Sequence, residues 1–248
     1  MTNDISAGQV RPVAVTVDLV ILTVRGDDLQ VLLVERGKEP YLGRPALPGG
    51  YIREAETLDQ AALRELGEET GLDGRRLHLE QLRTYGDPDR DPRGRVITVA
   101  YLALGPDLPA PLAGSDARNA SWTSVSSILD GRIDLAFDHF KILQEALERA
   151  RSQLEYTTIA AVFCPEPFTV SDLRKIYEVI WGIPLDPSNF RRKVTRAEHF
   201  LEPTGERRTP ETGRPAAVYR RGTARLLYPP MLRSGDIART HQTAPSLR

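Results

Sequence analysis

The chain opens its patterned region with a run from Val13 to Thr23 in which apolar and β-branched side chains dominate. Arg25-Gly26-Asp27-Asp28 interrupts it, and a second apolar run follows from Gln30 to Val34. Gly and Asp supply turn chemistry, so the two runs predict a pair of strands. Glu39 to Gly50 is rich in Pro and Gly and predicts a loop. The period then changes. Leu58, Ala62 and Leu66 recur every four residues, which predicts a helix over Thr57 to Thr70, with Thr57 as N-cap and Gly71 as terminator. Strands are predicted around Leu77 to Tyr85 and Val96 to Leu104, and a short last one at Asn119 to Thr123. Leu135 to Leu154 predicts a long amphipathic helix carrying Phe137, Phe140, Leu143, Leu147 and Leu154. Strands alternating with helices make this part α+β or α/β.

A second pattern begins near Glu155. Thr169 to Trp181 is helical in period, with Val170, Leu173, Ile176, Tyr177 and Ile180 on one side and Gly182 as the stop. Asp186-Pro187 opens another helix, an acceptor at the N-cap with Pro at the first turn. Its apolar positions are Phe190, Val194 and Ala197. Arg191, Arg192, Lys193 and Arg196 lie elsewhere on it. Leu201 to Thr204 and Ala216 to Tyr219 predict two short strands around a loop rich in Gly, Pro and Arg. Helix, turn, basic helix and hairpin is a winged helix-turn-helix outline. The expected organisation is a flexible start over 1–12, a first domain with its linking helix over 13–153, the winged helix over 154–225, and a tail over 226–248 that is ordered only where it docks.

Charge sharpens that division. The net charge of −1 hides an asymmetry: residues 1–153 carry 18 basic and 24 acidic side chains, residues 154–248 carry 15 and 10. An acidic front and a basic back suggest different partners, a cation and a nucleic acid. The one cysteine, Cys164, can form neither an internal disulfide nor a Cys-only zinc site, and its apolar neighbours predict a buried, inert thiol. The short apolar runs predict no membrane span, and MTNDISAGQV lacks the features of a signal peptide. The expectation is a cytoplasmic protein.

The candidate chemistry sits on the first helix. Glu65, Glu68 and Glu69 fall at i, i+3 and i+4, so they crowd on one face just after Pro48-Gly49-Gly50. A solvated acidic face is one explanation. A hard divalent cation such as Mg²⁺ or Mn²⁺ is the other, because it removes the like-charge repulsion and leaves room for phosphate oxygens. Gly49 and Gly50 let backbone approach that site closely, and Arg64 can bridge back to Glu56. The full string resembles the box of the Nudix family, G-x5-E-x7-R-E-U-x-E-E-x-G-U. Gly50, Glu56, Arg64, Glu65, Leu66, Glu68, Glu69, Gly71 and Leu72 match it without departure. The resemblance implies an α/β/α sandwich around a mixed sheet, and a site for a nucleoside diphosphate linked to another moiety. It implies Glu65 and Glu69 as metal ligands, with Gly50 beside them. It makes Glu68 a further ligand or a water-activating base, places Arg64 in the catalytic set, and makes Glu56 its structural partner.

The loop from Tyr85 to Arg95 adds a substrate hint. Asp87, Asp89 and Asp91 start like a calcium loop, but Pro92 and Thr98 stand where an EF-hand needs Gly and Glu. The loop instead resembles that of ADP-ribose-handling Nudix proteins, with Pro88 sixteen residues past the box. Arg90, Arg93 and Arg95, together with Arg44 and Gly49, are the candidate contacts to an ADP-ribose effector. In the second domain, Asn189, Arg191, Arg192, Lys193 and Arg196 on the basic helix, and Arg207, Arg208 and Arg214 in the hairpin, are candidate DNA contacts. A dimerisation or gating domain with a solvated basic face is the alternative.

The stretches Phe168 to Arg174, Asn189 to Arg192, Gly213 to Ala216 and Leu135 to His139 resemble the Nudix-related transcriptional regulators of NAD metabolism, the NrtR family. That resemblance implies a homodimer on palindromic double-stranded operator DNA. It implies repression of NAD synthesis or salvage genes, with ADP-ribose releasing the DNA. A Mg-dependent ADP-ribose pyrophosphatase with an accessory C-terminal domain is the competing reading. Two departures weigh against fast turnover: Arg44-Pro45 precedes Ala-Leu-Pro-Gly-Gly where an aromatic often stands, and Ser115 to Trp122 offers only Asp116 as a further acid, with Asn119 nearby. His139 is expected to be a packed or capping side chain rather than a ligand, and Asp138 to shape the hinge between domains.

Overall fold

A computed structural model describes residues 12–71, 77–106, 108–109, 117–209 and 215–233, without the side chains of 69, 70, 117 and 118. Strand β1 (Ala14–Arg25) turns at Gly26, φ 59°, and returns as β2 (Asp28–Arg36) in antiparallel register, Leu22 opposite Val31. The predicted loop over 39–50 contains two short strands, β3 (Pro45–Ala46) on β2 and β4 (Gly49–Tyr51) on β1. Runs of two and three residues carry no period, so the pattern could not reveal them. Helix α1 (Leu58–Thr70) follows, then β5 (His78–Tyr85), β6 (Val96–Leu104) and β7 (Ala117–Ser124). The strand order is β3-β2-β1-β6-β5, with β4 on β1 and β7 on β2. β1 and β6 run parallel, and the other pairs are antiparallel. The sheet is therefore mixed, as expected.

Alternation along β1 explains the layering. Val17, Leu19 and Ile21 pack with Ala61, Ala62 and Leu66 of α1. Val20, Leu22 and Val24 face the other way, in the cluster that holds Ile142, Leu143, Ala146 and Leu147. Successive side chains point to opposite faces, so a strand buried on both sides reads as one continuous apolar run. A short α2 (Val125–Leu129) follows β7. The long helix, α3 (His139–Tyr156), begins at His139 rather than Leu135. Leu135 and Ala136 continue the apolar period but lie outside the helix, and the Ala136 N–H donates to the Pro45 carbonyl at 2.9 Å. Phe137 then turns the chain with φ 54°, and Phe140 is partly exposed rather than inward.

Beyond α3 a 3-10 turn (Ile159–Phe163) leads to β8 (Phe168–Thr169), α4 (Val170–Trp181), α5 (Pro187–Arg196), β9 (Leu201–Arg208) and β10 (Ala216–Arg221). The three strands form a sheet of order β8-β10-β9. α4 ends at the left-handed Gly182 stop that its sequence predicts, and it starts on a reciprocal capping box of Thr169 and Asp172. Tyr177 packs edge-on against Trp181 and Phe190. Cys164 is buried beside them in the same cluster, and burial pushes its thiol up to about 12. Trp181 Nε1 donates to the Arg151 carbonyl at 3.1 Å, and Arg151 Nε to the Ile180 carbonyl at 3.0 Å, so α4 is joined to α3. After β10 the chain returns to the end of α3. The Leu227 and Met231 N–H groups donate to the Tyr156 and Glu155 carbonyls, and both apolar side chains are buried. No helix among the described residues is long and apolar enough to cross a membrane.

Candidate ligand site and nucleic-acid interface

The acidic face is built by local rules. Thr57 and Gln60 form a reciprocal capping box that fixes the start of α1, and a left-handed Gly71 ends it. Within that frame Arg64 is the hub. Its Nε and Nη2 donate to the two Glu56 oxygens at 2.9 and 2.6 Å, and Nη1 to Glu65 at 2.6 Å and Glu68 at 3.1 Å. Nη2 also holds the Tyr51 carbonyl at 3.1 Å, which ties β4 to α1. The bridge from Arg64 to Glu56 is the one expected from the sequence. Arg53 adds a second guanidinium to Glu68 at 3.0 Å. Glu65 is buried. Burial pushes its carboxyl up, and Arg64 acts against that. Glu69 lies on α1, but its side chain is outside the described residues.

The two glycines are required by contact. A Cβ on Gly50 would sit 2.1 Å from Glu65 Oε1, and one on Gly49 would sit 2.3 Å from the Val17 carbonyl oxygen. Only backbone fits there.

These residues form one end of a cavity of about 650 Å³. Arg53, Arg64, Glu65 and Glu68 line the acidic end, and Arg36, Arg93, Tyr51 and Phe137 line the rest of the wall. The Phe137 ring lies 4.5 Å from the Arg36 guanidinium and 5.5 Å from that of Arg93, and Tyr41 meets it edge-on at 4.8 Å. Arg93 is paired to Asp91 at 2.6 Å. Arg90 lines the cavity with its side chain 4% exposed. Its Nε and Nη2 donate to the two Asp138 oxygens at 3.0 and 2.8 Å, and Nη2 also approaches Asp18 at 3.3 Å. His139 is buried. Its Nδ1 accepts the Leu47 N–H at 2.9 Å, its Nε2 lies 3.8 Å from Asp18, and burial lowers its pKa. It is a packed side chain holding the Pro48-Gly49-Gly50 approach, as its position on the linking helix suggested.

Of the candidate effector contacts, Gly49, Arg90 and Arg93 line this cavity. Arg44 pairs with Asp134 at 3.0 Å outside it, Arg95 donates to the Gly86 carbonyl at 2.6 Å, and Pro88 is exposed in the turn before Arg90. Sequence reasoning did not single out Asp18, Arg36, Tyr51 or Phe137 as parts of the site. Asp18 had a usable signal, a lone acid inside a strand that is otherwise apolar.

On α5 the Asp186 carboxylate accepts the Asn189 N–H at 2.8 Å, and Pro187 fills the first turn. Phe190 and Val194 are buried, which turns Asn189, Arg191, Arg192, Lys193 and Arg196 outward, all exposed. Arg192 donates to Asn189 at 2.9 Å, so two candidate base or phosphate contacts are pre-oriented together. On β9, Arg207 is exposed and reaches the Pro215 carbonyl at 3.4 Å. Arg208 instead clamps the strand to α4, through Asp172 at 3.1 Å and the Pro167 carbonyl. Arg214 and Asp116 lie outside the described residues.

Comparison with known proteins follows the same division. Residues 14–146 match the NUDIX domain family, and residues 160–221 match the NrtR DNA-binding winged helix domain. The ADPR responsive transcriptional repressor NtrR of Acinetobacter baylyi is 35% identical over 83% of this chain and 80% of its own length. This chain belongs to the NrtR family. The crystal structure of Shewanella oneidensis NrtR complexed with a 27mer DNA has 36% identity and a TM-score of 0.69, covering 86% of this chain and 99% of that one. The NUDIX domain of the same NrtR, in complex with ADP ribose, aligns at TM-score 0.53 and 34% identity over 60% of this chain and 99% of its own. The ADP-ribose pyrophosphatase of Methanocaldococcus jannaschii is 39% identical over 48% of this chain and 66% of its own length.

Proposed function

We infer that this NrtR-type protein is an ADP-ribose-responsive transcriptional repressor. Its cavity takes the nucleotide, and its winged helix takes double-stranded operator DNA upstream of genes of NAD synthesis or salvage. The observation that carries this reading is α3. Its N-terminal residue, His139, lines the cavity, and its later turns are hydrogen-bonded to α4 through Arg151. One helix thus touches both the ligand cavity and the DNA-reading unit, which is the physical link that ligand control of DNA binding needs. The exposed basic face of α5 suits the major groove, and Arg207 of the wing suits phosphate. A homodimer on a palindromic site is the arrangement that fits a reader presenting one recognition helix per chain.

The donor set at the acidic end fits a hard divalent cation, Mg²⁺ or Mn²⁺. Glu65 presents its carboxylate oxygens beside Gly50, where a Cβ would fill the space, and Glu68 shares the Arg64 guanidinium with Glu65. Glu65, Glu68, Glu69 and the Gly50 backbone would hold the ion, and the bound ion would supply charge neutralisation for a pyrophosphate. Arg64 holds Glu65 and Glu68 in place, and Glu56 holds Arg64.

Fluorescence anisotropy with an operator duplex, titrated with and without ADP-ribose, tests the reading. The expected result is tight binding that ADP-ribose weakens by ten-fold or more. DNA affinity indifferent to ADP-ribose would overturn it. Slow hydrolysis at Glu65, Glu68, Glu69 and Arg64 is a second reading, favoured by the complete Nudix box, and AMP release in the same samples measures it.

A further inference from the structure

Asp138 occupies the N-cap position of α3, but its backbone, φ −93° and ψ 17°, is not the extended form of a capping residue and its side chain makes no cap hydrogen bond. An aspartate there ordinarily accepts a backbone N–H of the first turn and complements the helix dipole. Here both of its oxygens are committed to Arg90 in the cavity wall. The preceding residue, Phe137, has φ 54°, a conformation bulky L-residues rarely adopt. Its ring lies against the Arg36 and Arg93 guanidiniums. The entry to α3 is therefore held in an unusual geometry by three cavity-lining arginines.

The charges at this wall balance. Arg36, Arg90 and Arg93 face Asp18, Asp91 and Asp138. An anionic ligand meets no spare positive charge at Arg90. It must take the guanidinium from a carboxylate that already holds it. That competition gives the ligand a differential contact between two states, which any ligand-driven shift requires.

We propose that Asp138 is a positioning residue for which Arg90 and the N-terminus of α3 compete. A pyrophosphate-bearing ligand that draws Arg90 into the cavity frees Asp138 to swing its backbone to the extended form and cap α3, and the helix passes the change to α4 through Arg151 and Trp181. The inference rests on the ligand-and-DNA reading above and names its coupling element. Asn caps a helix as well as Asp but holds a guanidinium more weakly, so Asp138→Asn is pre-shifted to the released state. Ala can neither pair nor cap.

The experiment measures DNA affinity with and without ADP-ribose for the full-length wild type, Asp138→Asn and Asp138→Ala. ADP-ribose affinity is measured separately by calorimetry, and folding is checked by thermal melting. In Asp138→Asn the ratio of the two DNA dissociation constants is expected to fall from about ten-fold or more to within about three-fold of unity, with ADP-ribose binding retained. Its DNA affinity without ligand is expected to fall as well. Asp138→Ala is expected to lose the ratio while keeping DNA affinity. A purely structural role would move melting temperature and leave the ratio alone. An unchanged ratio in Asp138→Asn overturns the proposal.

A second measurement needs neither DNA nor a variant. Hydrogen exchange of the Phe140 and Lys141 amides in wild type is followed with ADP-ribose and with inorganic pyrophosphate. Added protection with either supports the proposal, and no change with both overturns it. If the wild type shows that protection but no ligand effect on DNA, the repressor reading fails and the Asp138 exchange stands.

Discussion

A methyl group at Gly50 would lie 2.1 Å from Glu65 Oε1 and 2.7 Å from its carboxyl carbon. The obstruction is the end of a side chain, so the fold can yield at a cost of about 1 kcal/mol. The carboxylate cannot yield and stay in place, because Arg64 pins it. Gly50→Ala is therefore expected to lower divalent-cation affinity by about ten-fold or more while barely shifting the melting temperature. Calorimetric titration with Mn²⁺ beside a thermal melt checks this. Glu56 supplies a pH-dependent counterpart. Hydrogen bonding to Arg64 holds its carboxyl at about 2, below its ordinary 4.5. A carboxyl with a depressed folded pKa contributes stability above about 4.5, and that contribution is lost as pH falls towards about 2. Wild type is thus expected to melt higher than Glu56→Gln at pH 7, with the difference closing between pH 5 and 2. A gap that does not narrow would show that Arg64 is not the cause. At this scale much of the site was legible. Glu65, Glu68 and Arg64 are brought together because helical spacing dictates it, and Glu56 joins them from the loop just before the Thr57 cap. Asp18, Arg36 and Phe137 come from β1, β2 and the turn before α3, and no local spacing relates them.

At the scale of an element, α5 and β9 separate two uses of arginine. Arg191 and Arg192 stand on an exposed helical face, whereas Arg208 is engaged by Asp172 and the Pro167 carbonyl. Arg191→Ala with Arg192→Ala is expected to weaken operator binding by ten-fold or more and to reduce the salt slope by about 1 to 2. Arg208→Ala is expected to act mainly on stability, by about 0.5 to 1 kcal/mol given its half-exposed pair. Its DNA salt slope should be nearly unchanged. Anisotropy titrations at several salt concentrations separate the two. Elements were legible in proportion to their length. α1, α4 and α5 carry full turns of period together with capping residues, so their limits could be read from Thr57, Thr169, Gly182 and Asp186. β3 and β4 have too few residues for a period, and Leu135 and Ala136 imitate a helix start although the Ala136 N–H bonds to Pro45 of β3 instead.

Across the whole molecule the mixed sheet was not derivable from period alone. The five longer strands could be recognised, but the parallel pairing of β1 with β6, Ala14 opposite Val96, joins positions far apart in sequence. The Nudix resemblance carried that information, and the basic second unit carried the rest. The proposed assembly belongs at this scale. Light scattering after gel filtration is expected to give twice the 27.6 kDa chain mass, with two chains per palindromic duplex and half-sites one or more helical turns apart. A monomer that binds a single half-site with full affinity would contradict it. The winged unit enters and leaves the rest of the protein at one place. Thr157 and Leu226 form an antiparallel bridge, and Leu227 and Met231 bond back to Tyr156 and Glu155. A segment whose two ends emerge side by side is an interchangeable cartridge. The DNA reader could be exchanged for another between Thr157 and Leu226 without re-routing the chain through the nucleotide-binding half, so operator choice can diverge in descendants of this protein as long as the newcomer keeps the seat of α4 on α3.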